Sequence, residues 1–173
     1  MKEIPSHKLN SRNNLVYEIN SHTPFTGNEI EHYDTGEILM RTAYKDGKLE
    51  GERILYYLSG QCNSKSHFNK GKLNGSYELY YENGQLRNKT DYKNGEKDGL
   101  HQRYYENGQL KVKTSYKNGV EDGNYELYNE NGQLNVKVSY KNGVEDGPQK
   151  FYYENGLLQF LTFYKNGVED GPK

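Results

Sequence analysis

Few side chains in this sequence have both the type and the spacing that catalysis or metal binding requires. Five histidines are scattered along the chain, and their spacing does not gather them around Cys62, the single cysteine. The histidines are His7, His22, His32, His67 and His101. We therefore expect no metal site and no cofactor, and we interpret Cys62 as a small apolar packing residue rather than a reactive thiol.

Paired carboxylates beside valine and glycine are the next candidates for chemistry. The pairs are Glu121-Asp122, Glu145-Asp146 and Glu169-Asp170. Two adjacent carboxylates could bind calcium or share a proton as a catalytic dyad. Each loop supplies only two carboxylates and also contains a lysine, so we interpret the pairs as solvated loop charges. A catalytic site usually interrupts a repeated pattern, and we expect no catalytic residues and no enzyme activity.

Tyrosine supplies the apolar surface that the rest of the composition lacks. Only 32% of the 173 residues are hydrophobic and the mean hydropathy is −1.17, yet the chain contains 18 tyrosines. A disordered chain would combine such a composition with a large net charge, whereas the net charge is −1. This near-neutrality favours neither nucleic acid nor an anionic membrane as a partner. The polar residues 1–14 and the single cysteine fit a cytoplasmic protein.

A repeat of 24 residues organises the chain. Glycine occurs at 36, 60, 84, 108, 132 and 156, at 47, 71, 95, 119, 143 and 167, and at 27, 51, 75, 99, 123, 147 and 171. These three series contain all 19 glycines, and most tyrosines follow the same spacing. The same local structure must therefore recur in each repeat.

Each repeat is predicted to be a β-hairpin. The Asn83-Gly84 pair is the strongest hairpin signal, because a two-residue type I′ turn needs two positive φ angles. A second glycine-bearing loop, Asn94 to Gly99, leads into the next hairpin. The sequence predicts an all-β fold, an elongated single-layer antiparallel meander of repeated β-hairpins. Residues 27–173 form the domain of six repeats, and residues 1–26 form an N-terminal capping segment in which Leu15-Val16-Tyr17 supplies a strand.

A two-residue turn fixes which residues share a face of the predicted sheet. The apolar, packed face contains Leu55, Tyr57, Leu110, Val112, Leu134, Val136, Leu158 and Phe160, with Cys62 at the leucine position of its own repeat. The opposite face pairs Tyr104 with Lys111 and Glu126 with Lys137. Opposite charges thus meet across the strands of that second face.

One tyrosine per repeat lies on the second face, where successive rings are roughly 10 Å apart. This stripe is a candidate recognition surface, since tyrosine supplies rigid contact area and a hydrogen-bonding group at low entropic cost. The predicted partner-binding residues are Tyr56, Tyr80, Arg87, Tyr104, Lys111, Tyr128 and Tyr152. The alternative is that these tyrosines only stabilise the sheet by packing over lysine stems.

The last repeat departs from the others on the second face. Leu161 and Phe163 occupy positions where earlier repeats have lysine and serine. Apolar residues on both faces of a strand imply that a second copy or a partner covers them. Leu161 and Phe163 are therefore a candidate edge interface, and a homodimer through this edge is one alternative.

Two segments of the repeat resemble the MORN repeat in its bacterial variant. They are Tyr-Tyr-Glu-Asn-Gly-Gln-Leu from Tyr104 to Leu110 and Tyr-Lys-Asn-Gly-Val-Glu-Asp-Gly from Tyr116 to Gly123. The resemblance extends over Gly27 to Gly171, with Asn129 as a departure at a tyrosine position. It implies elongated sheets of hairpins and a role in scaffolding or protein binding, and many bacterial members are antitoxin components. No phosphate-binding glycine motif supports the kinase activity found beside some MORN repeats.

Together these observations predict a non-catalytic protein-binding module that neutralises or regulates an effector protein by occlusion. The resemblance suggests an antitoxin-like inhibitor, with a nuclease as one effector. A second hypothesis is a membrane-peripheral scaffold that binds lipid headgroups through Lys111, Lys113 and Lys137, although the net charge argues against it. Self-assembly through the last repeat is a third hypothesis.

Overall fold

The computed structural model describes residues 2–171, so Met1 and residues 172–173, the outer ends of the two predicted segments, lie outside the described residues. The chain divides into two compact units, the first ending at Gly84 and the second beginning at Gln85. Both units consist of β-strands, and the single helical turn of the described chain is a 3-10 turn at Ser6–Lys8. The prediction of an all-β fold is confirmed.

The first unit contains eight strands. They are β1 (Glu3–Pro5), β2 (Leu9–Arg12), β3 (Leu15–Glu18), β4 (Gly27–His32), β5 (Ile38–Lys45), β6 (Lys48–Tyr56), β7 (Cys62–Asn69) and β8 (Lys72–Tyr80). Strands β4 to β8 pair in chain order as antiparallel neighbours. β1 pairs in parallel with β4, while β2 and β3 form a separate two-stranded sheet. The expected strand at Leu15-Val16-Tyr17 thus forms within β3, where the Val16 amide donates to the Gly47 carbonyl at 2.9 Å.

The second unit is an antiparallel meander, as predicted. It contains nine strands. They are β9 (Leu86–Lys93), β10 (Glu96–Tyr104), β11 (Leu110–Lys117), β12 (Val120–Glu121), β13 (Gly123–Tyr128), β14 (Leu134–Lys141), β15 (Val144–Tyr152), β16 (Leu158–Lys165) and β17 (Val168–Glu169). Neighbours in sequence are neighbours in the sheet, with the short β12 pairing with β11 beside β13. Each repeat therefore contributes two long strands.

Two-residue turns with two left-handed residues occur at the glycine series that includes Gly119, Gly143 and Gly167. In the Asn118-Gly119 turn, φ is 50° at asparagine and 83° at glycine. Asn142-Gly143 and Asn166-Gly167 have the same conformation. The prediction of a type I′ turn at Asn83-Gly84 is wrong, because Gly84 has a positive φ and Asn83 does not.

The loops of the Asn83-Gly84 type are one residue longer than predicted. In the loop between β10 and β11, the Gly108 amide donates to the Tyr105 carbonyl at 2.9 Å, and the Tyr105 amide donates to the Gln109 carbonyl at 2.8 Å. The Asn107 side chain also accepts the Gln109 amide at 2.9 Å. A type I turn followed by a left-handed glycine has this three-residue geometry, and it places a bulge beside the loop.

The bulge changes the pairing next to each loop. Tyr104 lies opposite Leu110, so the predicted pairing of Tyr104 with Lys111 is wrong. Beyond the bulge the predicted register is confirmed, and Glu126 lies opposite Lys137. The extra residue of the bulge offsets the extra residue of the loop. The pairing register of the rest of the hairpin is therefore the predicted one.

The same bulge moves one series of side chains to the other face, because residues directly opposite each other share a face. The pairs that show this are Tyr56 with Cys62, Tyr104 with Leu110, Tyr128 with Leu134, and Tyr152 with Leu158. The placement of Cys62 and the leucine series on the packed face is therefore wrong. These residues join the stripe tyrosines instead.

The preceding repeat holds the type I′ turns at Asn118-Gly119, Asn142-Gly143 and Asn166-Gly167. The Gly143 amide donates to the Glu121 carbonyl at 2.8 Å, and the Asn142 amide donates to the Asp122 carboxylate at 3.1 Å. We call this pair of bonds the turn clamp. It recurs where Glu145 and Asp146 hold Asn166-Gly167, and where Lys97 and Asp98 hold Asn118-Gly119. Asp122 and Asp146 therefore also accept a turn amide, a structural role that the sequence did not predict for the acidic pairs.

The most buried positions of the packed face carry small side chains, mostly with hydroxyl groups. They are Thr42, Ser66, Thr90, Thr114, Val138 and Thr162, which are one repeat apart and each at most 6% exposed. The predicted aliphatic packing is confirmed at Val112, which is also buried. Small side chains in this series leave room for larger neighbours across the strands, such as Tyr125 opposite Val138 and His101 opposite Thr114.

The buried hydroxyls of Thr90 and Thr114 differ in their hydrogen bonding. Thr90 Oγ1 lies 2.8 Å from His101 Nδ1, whereas Thr114 Oγ1 has no hydrogen-bond partner among residues 2–171. We expect Thr114→Val to raise the free energy of unfolding by about 1 kcal/mol, because it removes an unsatisfied buried hydroxyl and keeps the side-chain shape. Val138 occupies the same position in the next repeat.

The matched variant Thr90→Val should lower the free energy of unfolding by about 1 kcal/mol, because the hydrogen bond to His101 is lost. Urea unfolding of both variants measures the two changes. Equal effects of the two substitutions would contradict this assignment of the hydroxyl groups.

Candidate functional site

The stripe tyrosines occupy one position of the hairpin, the last residue of a strand before a three-residue loop. In the second unit these residues are Tyr104, Tyr128 and Tyr152, and all three are partly buried. They lie on one face, because the strands keep one register between Lys113, Glu126 and Lys137. We call this surface the tyrosine face of the second unit, and Tyr56 and Tyr80 occupy the same hairpin position on the corresponding face of the first unit.

In each unit, one stripe tyrosine is shown to donate its hydroxyl to a glutamate of its own strand. The Tyr128 hydroxyl donates to Glu126 Oε2 at 2.9 Å, and Lys137 Nζ donates to Glu126 Oε1 at 2.8 Å. In the first unit the Tyr80 hydroxyl donates to Glu78 at 2.7 Å. These hydroxyls are already bonded, so the rings rather than the hydroxyls provide the available contact surface.

Protonation states on this face follow from the same contacts. Burial, together with the bond to Glu126, raises the pKa of Tyr128 to about 12. Burial also raises the pKa of Glu126, but the hydrogen bonds from Lys137 and Tyr128 outweigh it and lower this pKa overall. Near neutral pH, Tyr128 is therefore a neutral donor to an ionised carboxylate, and it is not a nucleophile.

A second tyrosine series, one residue further along, has a structural role that the sequence did not reveal. The Tyr105 hydroxyl donates to the Tyr128 carbonyl at 2.8 Å, which joins one loop to the next repeat. In the first unit Tyr33 and Tyr57 bond in the same way to the carbonyls of Tyr56 and Tyr80. We call this bond the tyrosine staple. The regular spacing was the available signal, but it does not separate staple positions from stripe positions.

The two cationic residues of the predicted set differ in their contacts. Lys111 Nζ lies 4.8 Å from the centre of the Tyr105 ring, a cation–π distance, so this lysine packs against the staple. Arg87 is exposed on β9. Lys111 therefore contributes to the fold of the repeat as well as to the surface.

The predicted edge interface lies on the same face of the second unit. Leu161 is opposite Lys150 and Phe163 is opposite Pro148, and the two side chains are 40% and 41% exposed. Phe160, on the packed face of the same strand, is 52% exposed. The last long strand therefore presents apolar surface on both sides.

No cluster of three His, Cys, Asp or Glu residues that could hold a metal is found within residues 2–171. Cys62 is partly exposed on the corresponding face of the first unit, and burial raises the pKa of its thiol despite the nearby charge of Lys65. A raised pKa makes this thiol less reactive than usual. In the same part of the chain, no helix is long and apolar enough to cross a membrane.

Comparison with known proteins identifies the repeat. The sequence profile described as MORN repeat variant matches four consecutive segments, residues 73–94, 97–118, 121–142 and 145–166. No protein of curated function matches the sequence. Among solved structures, the chain is similar to a chain in the crystal structure of a GtfA/B complex bound to UDP and GlcNAc, with 18% identity and a TM-score of 0.26. That alignment covers 94% of this chain and 29% of the other, and so low a TM-score supports no argument about fold or function.

The tyrosine staple can be tested by removing it at Tyr105 and by introducing it at Asn129. Tyr105→Phe removes the bond to the Tyr128 carbonyl and should lower the free energy of unfolding by about 1 kcal/mol. Asn129 stands at the next staple position, where asparagine is shorter than tyrosine. We expect Asn129→Tyr to raise the free energy of unfolding by about 1 kcal/mol or more, because it adds a hydrogen bond and buries a ring. Chemical denaturation of the two variants measures both changes, and an unchanged midpoint for Tyr105→Phe would remove the staple from this account.

Proposed function

The chain belongs to the MORN repeat variant family, whose repeats are generally protein- or membrane-binding modules, and we propose that it is a cytoplasmic, non-catalytic inhibitor of an effector protein. The inhibitor binds the effector through the tyrosine face and neutralises or regulates it by occlusion, in the manner of a bacterial antitoxin. A nuclease is the effector class that we favour. The observation that carries the proposal is the row of partly buried tyrosines on one face.

Two properties of this face support protein binding. The rings of Tyr104, Tyr128 and Tyr152 recur at one position of rigid strands, so little entropy is lost when a partner orders them. The Glu126 carboxylate fixes the Tyr128 ring through its hydroxyl. Side chains preorganised in this way are typical of the aromatic residues that dominate binding energy in protein interfaces.

Lipid binding has less support than protein binding. Lys137 is paired with Glu126 at 2.8 Å, Lys113 lies opposite the same carboxylate, and Lys111 packs on a ring. A lipid phosphate would have to compete with these contacts for each cation. Salt-sensitive sedimentation with anionic liposomes would favour the lipid hypothesis, and its absence favours protein.

Self-association is a second candidate function, and the exposure of Leu161 and Phe163 favours it. Two apolar side chains side by side on an exposed strand face are typical of a contact surface. The self-association hypothesis is tested by light scattering, which measures the molecular mass of the wild type and of the Leu161→Lys, Phe163→Ser double variant. A mass that falls from dimer to monomer supports it, and a monomeric wild type excludes it.

The main test uses two stripe residues of the second unit. We expect Tyr104→Ser combined with Tyr128→Ser to weaken capture of the host partner at least about tenfold, because truncated interface tyrosines commonly cost more than ~1.4 kcal/mol each. The partner is identified by affinity purification from the native host with mass spectrometry, and its affinity is then measured with the purified proteins.

The matched control keeps the rings and removes the hydroxyls. Tyr104→Phe combined with Tyr128→Phe should retain capture, since the Tyr128 hydroxyl is already bonded within the protein. Circular dichroism confirms that both double variants are folded. Unchanged capture by the serine variant would exclude the tyrosine face as the binding surface.

A further inference from the structure

The outer edge of β16 is open at positions where the earlier strand β14 is paired. Residues 136–138 of β14 all pair with the next strand, β15. The outer edge of β16 pairs with β17 only at Tyr164 and Lys165, and it has no further partner strand within residues 2–171. The equivalent residues 160–162 therefore have no outer strand beside them in the described part of the chain.

The backbone groups of Leu161 point to this open edge. The Phe163 carbonyl faces outward, because it accepts the Asp170 amide at 2.7 Å. Along a β-strand, the N–H and C=O groups of successive residues point to alternate edges. Leu161 lies two residues before Phe163, so its amide and carbonyl also point outward. Such unpaired backbone groups are a template for another strand.

The side chains of this edge lack the charge that earlier repeats have there. Lysine or arginine stands at the position of Leu161 in the five preceding hairpins, as Arg41, Lys65, Lys89, Lys113 and Lys137. Residues 158–163 contain no charged side chain. Charge on an edge strand is a common protection against pairing with another chain, and this edge does not have it.

A second copy of β16 is the occupant that this edge fits. Where the equivalent edge of β14 is covered, its cover is an antiparallel strand of the same chain. Two β16 strands related by a twofold axis bring together segments without charge, so no like charges oppose each other. Head-to-tail assembly is disfavoured, because β1, the edge strand of the first unit, contains Pro5 and the ion-paired Glu3.

The segment after β17 selects the register of such a pair. Asp170 is bonded to Phe163, and Gly171 lies beside Thr162, so this segment occupies the outer edge at those two residues. A twofold axis at Leu161 would place Gln159 of the second copy against Phe163, where it meets the segment. A twofold axis at Phe160 instead pairs Leu161 with Gln159 of the second copy and leaves Phe163 free.

We propose that two copies of the chain pair antiparallel through the outer edges of β16, with Phe160 of each copy at the twofold axis. This inference rests on the self-association candidate and names its interface. Each Phe160 ring already packs on Phe151 of its own chain, with ring centres 6.0 Å apart. The dimer therefore contains a row of four aromatic rings on the packed face. A strand pair this short buries less than the roughly 1,200 Å² of a stable interface, so the dimer is reversible and forms at high concentration.

The register is tested by disulfide trapping in the full chain with Cys62→Ser, which removes the single native thiol. Residues that face each other at a non-hydrogen-bonded position have Cα atoms about 4.5 Å apart, a distance that a disulfide spans. Phe160→Cys should therefore form a covalent dimer when oxidised glutathione is added.

Two control positions separate this register from random collision and from the alternative twofold axis. In the proposed register the two Leu161 Cα atoms are more than roughly 7 Å apart, too far for a disulfide, so Leu161→Cys should give at least about tenfold less dimer. Val168→Cys should also give little dimer, because Val168 is 69% exposed but lies outside the proposed pair.

Two further variants use residues that the repeat itself contains. Leu161→Lys introduces the residue found at Lys137 and should raise the dissociation constant of the dimer at least about tenfold, because it returns a charge to the edge. The matched control Gln159→Asn introduces the residue found at Asn135 and should leave the constant unchanged. Light scattering at concentrations up to about 1 mM measures both constants.

The inference is overturned if Phe160→Cys traps no more dimer than Val168→Cys, if Leu161→Cys is trapped better than Phe160→Cys, or if Leu161→Lys leaves the dissociation constant unchanged. A wild type that dimerises without trapping at residue 160 keeps the self-association candidate and rejects this interface. A wild type that stays monomeric up to about 1 mM rejects both. Neither result affects the proposed inhibitor function, which is tested at Tyr104 and Tyr128.

Discussion

The turn clamp is the constraint on which the rest of the structure depends. A two-residue turn with two left-handed residues directs its backbone amides away from its own hairpin, and those amides need acceptors. In the second unit the preceding repeat provides both acceptors, as when the Glu121 carbonyl and the Asp122 carboxylate hold Gly143 and Asn142. In this unit an acidic residue, an asparagine and a glycine accordingly recur at fixed distances, whereas Lys70 takes the position of the asparagine in the first unit. The repetition of the sequence is a consequence of this interaction between neighbours, as in other repeat proteins.

Once hairpins are fixed to their neighbours, equivalent side chains of successive repeats align in series. Each series has a different structural role. Small side chains fill the packed face of each unit, as at Thr42 in the first and Thr90 in the second. The hydroxyl groups of the staple tyrosines, such as Tyr105, donate hydrogen bonds to backbone carbonyls of the next repeat. Two of the stripe tyrosines, Tyr80 and Tyr128, donate theirs to glutamates of their own strand, so their rings are the part that a partner can reach. Binding surface and fold are thus built from adjacent residues of one motif.

Much of this organisation could be predicted from the sequence, because hairpins and their spacing are encoded locally by glycine and asparagine. The all-β meander and the pairing of Glu126 with Lys137 were predicted correctly. The type I′ turn was predicted at the wrong Asn-Gly series, since Asn-Gly occurs both at Asn107-Gly108 and at Asn118-Gly119 and only the second of these is a type I′ turn. That choice depends on the bulge beside the loop, which composition does not reveal. Cys62 and the leucines were therefore predicted on the packed face, whereas they lie opposite the stripe tyrosines.

The most direct measurement of the central claim is amide hydrogen exchange at the turn residues Gly119, Gly143 and Gly167. These glycines lie in exposed turns, where an isolated hairpin would leave the amide open to solvent. We predict that all three exchange slowly, because each amide donates to a carbonyl of the preceding repeat at 2.8 to 2.9 Å. Asp122→Ala should then speed exchange at the Asn142-Gly143 turn more than at the Asn118-Gly119 turn. Exchange of the three glycines at the rate of an unstructured peptide would contradict the account.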